Sequence, residues 1–75
     1  MVAGRKQHIA NAFGQVLRDF GYDDYTNEQV EVDIALALQD KAGSNITASF
    51  IQCWLEGDFA HLRPECEELF GGENK

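Results

Sequence analysis

The chain has 75 residues, six Lys and Arg against thirteen Asp and Glu, a formal net charge of −7, and 44% hydrophobic residues. That length allows one domain, the composition excludes a disordered chain, and no apolar run approaches the roughly 18 residues a membrane span needs. The acidic balance is the opposite of what a phosphate-gripping protein usually carries.

The first predicted helix runs from about Arg5 to Phe20. Ile9, Phe13, Val16, Leu17 and Phe20 recur at helical spacing and define one apolar stripe. Gln7, Asn11, Gln15 and Arg18 fall on the opposite face, with Gly14 on that polar side and His8 on or near it. Gly21 stands where a C-cap glycine belongs. The linker Tyr22, Asp23, Asp24, Tyr25 follows, and its tyrosines either cover the core edge or offer a contact surface.

Thr26 to Gln29 fit a capping box, Thr26 accepting from the backbone and Gln29 reaching back. The second helix is expected to run to about Lys41, with Gly43 as its stop. Val30, Ile34, Ala37 and Leu38 form one stripe, while Val32 and Leu36 lie on another face. A helix apolar on two sides is central in the core or half of an interface. The third helix spans about Thr47 to Leu55, with Thr47 as N-cap and Gly57 as stop. Ile46, Phe50, Ile51, Trp54 and Leu55 give its apolar side; Ser49, Gln52, Cys53 and Glu56 face outward. The last helix begins near Pro64, which suits a first helical position. Glu65, Glu67 and Glu68 load its first turn, and Leu62, Cys66, Leu69 and Phe70 supply the stripe up to Gly71 and Gly72. Residues 1–4 and 73–75 are expected to fray. The fold class is therefore all-α: one helical domain over residues 1–75, with four to five helices in a helix-turn-helix-like shape.

The chemistry of an enzyme or metal site is missing. His8 and His61 with Cys53 and Cys66 match no zinc spacing, no glycine-rich loop follows a strand, and no nucleophile with a nearby base can be assembled. No catalytic residue, metal or cofactor is expected. Cys53 and Cys66 could form one bridge; the other reading is two reduced thiols, with Cys66 a small core residue. The stretch from Met1 to Phe13 has basic residues but no continuous apolar segment and no cleavage site, so a cytoplasmic protein is expected. Charge is unevenly spread. Asp19, Asp23, Asp24, Glu28, Glu31, Asp33 and Asp40 follow one another with no intervening base.

The stretch from Ile46 to Gly57 resembles the recognition helix of the Cro and phage-repressor type of helix-turn-helix domain. Ile46, Thr47, Ile51, Trp54, Leu55 and Gly57 carry the likeness, and the segment from Pro64 to Phe70 resembles that family's next helix. The resemblance implies a third helix lying in the major groove. Ser49 and Gln52 would then read bases, since Gln can pair with adenine. Thr47 would contact the backbone, and Arg5, Lys6, Arg18 and Lys41 would clamp phosphates.

Three readings follow. The first is a small helix-turn-helix transcriptional regulator that binds DNA, dimeric through Val32 and Leu36. The second is an acidic protein of the same shape that binds a basic, nucleic-acid-handling protein, as a phage or mobile-element inhibitor or nucleic-acid mimic would. Its contacts would be Asp23, Asp24, Glu28 and Glu31, with Tyr22 and Tyr25 as aromatic anchors. The third is a structural dimerisation module. No membrane partner is expected.

Overall fold

A computed structural model describes residues 4–71. It contains four α-helices, α1 (Gly4–Asp19), α2 (Asn27–Leu38), α3 (Ile46–Glu56) and α4 (Arg63–Phe70), with a 3₁₀ turn over Ala60–Leu62. The all-α class is thus as expected, and no strand occurs among the described residues. The expected fraying of residues 1–3 and 73–75 lies outside the described residues, and Gly4 is already helical.

Helix α2 is the central element and packs against α1, α3 and α4. Ile9, Ala10, Phe13 and Leu17 of α1 meet Val30, Ile34 and Ala37 of α2, and Ile51, Leu55, Cys66 and Phe70 close the same core. Tyr22 and Tyr25 are half-buried against it, so they do cover its edge.

Two helix ends share one mechanism. After α1, the Gly21 N–H donates to the Arg18 carbonyl (2.9 Å) and the Tyr22 N–H to the Leu17 carbonyl (3.0 Å). That is a Schellman motif, and Gly21 takes its left-handed position with φ 103°. After α2, the Asp40 N–H donates to Ala37 and the Lys41 N–H to Leu36, with Asp40 at φ 59°. The helix therefore stops at Leu38, short of Lys41, and Gly43 is not its stop. Aspartate tolerates this conformation better than most side chains, and here its carboxylate also accepts from Gln52 Nε2 at 2.8 Å.

Helix starts deviate in detail. Thr26 caps α2 by accepting from the Gln29 N–H at 3.2 Å, but the Gln29 side chain turns to Asp33 instead of completing the capping box. Asn45, not Thr47, caps α3, its Oδ1 accepting from the Ala48 N–H at 3.1 Å. Thr47 lies inside the first turn, and its hydroxyl is engaged elsewhere.

Three burial assignments also change. Gly14 is buried rather than on the polar side: a side chain there would stand beside Asn27 and Val30 of α2. Phe20 follows the last residue of α1 and swings outward, 60% exposed. Ile46 opens α3 on its outer side, 57% exposed. The space at Gly14 allows ordinary contact with its neighbours. Gly14→Ala is therefore expected to stabilise the chain by about 0.5–1 kcal/mol through helix propensity; a lowered melting midpoint would mean that α1 and α2 pack closer than this.

Both thiols are free. Cys66 is fully buried, and burial, with Glu65 and Glu67 adding, pushes its thiol up to about 11. The native chain is expected to give one rapidly reacting thiol, from exposed Cys53, and a second only on denaturation. The sign of the linkage follows. Above pH ~8.5 the unfolded thiol ionises while the folded one stays neutral, so stability falls as pH rises from there towards about 11. A thiol titration and melts at pH 8 and 10.5 check both points.

Candidate docking surface

The residues of the two DNA- and protein-binding sets come apart in space. Thr47 is only 2% exposed. Its hydroxyl donates to Asp33 Oδ2 at 2.6 Å and accepts from the Tyr25 hydroxyl. Asp33 itself has no exposed surface, so it does not belong to the acidic exterior. It falls on the Val30–Ile34–Ala37 side of α2 because 30, 33, 34 and 37 are one stripe at helical spacing. Asn45 Nδ2 donates to its Oδ1 at 3.1 Å and Gln29 Nε2 at 3.4 Å. Burial raises the Tyr25 hydroxyl above its ordinary value; the bond to Thr47 opposes this and the Asp33 carboxylate adds to it. This buried polar chain joins the α1–α2 connection, α2 and the start of α3, and fixes how α3 is presented. It also removes Thr47 from the surface as a backbone contact.

The other expected base readers are constrained. Ser49 is half-buried, and Gln52 spends its amide on Asp40 Oδ1 and, at 3.4 Å, on the Ala37 carbonyl. Arg5 pairs with Glu65 Oε2 through Nε at 2.9 Å, and Lys6 Nζ stands 5.4 Å from the centre of the Phe70 ring. These two bases sit at the far end of α1 from Phe20, roughly 22 Å away along a helix rising 1.5 Å per residue. The Arg18 guanidinium folds back beside Gly14. Lys41 alone is exposed near α3.

What α3 does present is an uncharged outer side. From Ile46 to Leu55 it contains no ionisable side chain except the Cys53 thiol. Ile46 and Cys53 are exposed and Phe50 is half-buried. Phe50 stacks nearly parallel on Trp54 with ring centres 5.9 Å apart. The Phe20 ring stands 5.8 Å from Phe50 and 5.9 Å from Trp54, and Tyr22 stands 6.1 Å from Phe50 and 6.4 Å from Tyr25. The result is a continuous aromatic surface running from Tyr25 through Tyr22, Phe50 and Phe20 to Trp54. Asp19, Asp23 and Asp24 are exposed within or beside its chain segments, and Glu56 and Asp58 follow Trp54.

The expected protein-binding set divides accordingly. Tyr22, Asp23, Asp24 and Tyr25 belong to this surface. Glu28 and Glu31 instead line an open groove with Lys6, Val32, Ala35 and Phe70. Val32, expected in a dimer contact, is 51% exposed there, whereas Leu36 is half-buried. Phe20, Ile46, Phe50 and Trp54 were not among the expected site residues. Their signal is the absence of charge from Ile46 to Leu55 in a chain carrying −7.

No protein-family model, curated protein or solved structure matches this chain. Among the described residues, no group of His, Cys, Asp and Glu could hold a metal ion, and no helix is long and apolar enough to cross a membrane.

Proposed function

We propose that the chain is a protein-binding module whose docking surface is the aromatic face built by Phe20, Tyr22, Ile46, Phe50 and Trp54. The observation that carries this reading is the uncharged, partly exposed outer side of α3. A helix that reads DNA needs donors for base edges and cations for phosphates. Here the one amide on that helix is bonded to Asp40, and the threonine is internal. Aromatic rings that are half wet and flanked by acids are, by contrast, the composition of an interface core and its rim. Of the three readings drawn from the sequence, the acidic protein binder fits this arrangement best.

Two measurements test it together. Anisotropy titration with mixed duplex DNA at low salt is expected to give no binding; binding that weakens steeply with salt and is lost in Lys41→Ala would replace this reading with the DNA-binding regulator. Phe20→Ser/Ile46→Ser alters two exposed side chains and should leave the fold intact. A partner retained by the parent chain and equally by this variant would place the interface elsewhere.

A further inference from the structure

The aromatic face has a definite length, shape and electrostatic frame, and these narrow what can occupy it. Ile46, Phe50 and Trp54 stand four residues apart on α3, so their stripe extends about 12 Å along the helix. Phe20 and Tyr22 flank that stripe, their rings 5.8 and 6.1 Å from Phe50. A stripe of this length matches about two turns of a partner helix, with apolar anchors at i, i+4 and i+7. An extended strand would find no edge to pair with, because the described residues form no sheet.

The chain segments that build the face are flanked by acids. Asp19, Asp23 and Asp24 accompany Phe20 and Tyr22, while Glu56 and Asp58 follow Trp54, and all five are exposed. None takes part in an ion pair among the described residues, where the pairs are Arg5 with Glu65 and Arg63 with Glu67. A second copy of this chain would bring another net −7 against the same acids, which disfavours self-association here.

We infer that the occupant of the aromatic face is a basic amphipathic helix of another protein, its apolar side on Ile46, Phe50 and Phe20 and its Lys or Arg residues against Asp19, Asp23, Asp24, Glu56 and Asp58. The inference rests on the docking reading and adds the chemistry of the partner. Electrostatic attraction between the acidic rim and the basic helix speeds their encounter, and the apolar centre sets how long they stay together.

Trp54, the only tryptophan of the chain, lies in this face and reports its occupation directly. The probes are two helical peptides of about 14 residues, roughly four turns, with Leu at the same three positions. One carries Arg and the other Glu at the flanking sites. At near-physiological salt the Leu/Arg peptide is expected to shift the Trp54 emission to shorter wavelength and saturate, and the Leu/Glu peptide to do nothing. Phe20→Ser/Ile46→Ser should weaken the Leu/Arg peptide at least tenfold. Asp23→Asn/Asp24→Asn should weaken it by up to about tenfold at low salt and less at high salt, in line with two rim charges.

Equal binding of both peptides, lost in Phe20→Ser/Ile46→Ser, would overturn the basic partner while leaving a docking face. Leu/Arg binding undiminished in that variant would be diffuse attraction to an acidic surface, and it too would overturn the inference. A chain that answers neither peptide and sediments as a dimer would assign the face to a second copy. Salt-sensitive binding of duplex DNA is the separate result that would remove the docking reading itself.

Discussion

Phe13→Ala should remove about 3–5 kcal/mol of stability, a large share of what a domain of this length has. Phe13 has no exposed surface and sits where three elements meet. Its ring lies parallel to Trp54 with centres 6.1 Å apart and edge-on to Phe59 at 5.2 Å. Removing a buried phenylalanine ring costs about 3–5 kcal/mol, from lost transfer energy plus the cavity left behind. A domain of this length has a total stability of roughly 4–11 kcal/mol at typical values per residue. The loss is therefore comparable with the whole at the lower end. Urea unfolding followed by far-ultraviolet circular dichroism measures it. A loss below about 1 kcal/mol would mean that the neighbouring rings collapse into the space and that the core is far more plastic than its packing implies. Trp54→Ala should cost less than Phe13→Ala, because that ring is only partly buried.

The second large effect concerns the buried polar chain. Asp33→Ala is expected to cost about 2–4 kcal/mol, because it removes the acceptor of the Asn45 amide and the nearer acceptor of the Thr47 hydroxyl, which keeps only Asn45 Oδ1 at 2.9 Å, in a water-poor place. Thr47→Val should cost about 1–3 kcal/mol for the reciprocal reason. The informative variant is the double one. If the cost is that of stranded partners, Asp33→Ala/Thr47→Val should be less destabilising than the sum of the single changes by about 1–2 kcal/mol. Strict additivity would show that the two side chains do not depend on each other. The Trp54 emission of Asp33→Ala should also change, since Asn45 and Thr47 open the helix that carries Phe50 and Trp54.

The helical class and most of the core were legible in the sequence because they depend on periodicity. Ile9, Phe13, Leu17, Val30, Ile34, Ile51, Leu55 and Cys66 lie inside, where their spacing places them. Local capping was legible where a single residue decides it, as at Thr26 and Gly21. It was not legible where tertiary contacts compete. Thr47 has the chemistry of an N-cap, but its hydroxyl donates to a buried carboxylate on the neighbouring helix, and Asn45 caps instead. Asp33 read as one of a run of surface acids because charge counting ignores helical phase. Phe20 and Ile46 read as core because hydrophobicity says what would gain by burial, not whether a neighbour is there to bury it. The same ambiguity hid the candidate surface: an apolar stripe that faces solvent has the spacing of one that faces the core.

The pairing of Arg5 with Glu65 joins side chains 60 residues apart, and Cys66 and Phe70 lie in the same core as Ile9 and Phe13. During synthesis this has a cost in time. Until the residues of α4 have left the ribosome, α1 and α2 lack the side chains that cover one flank of their apolar stripes. The nascent chain therefore carries exposed hydrophobic surface until α4 is free to pack, and a chaperone able to shield that surface can meet it before this core closes.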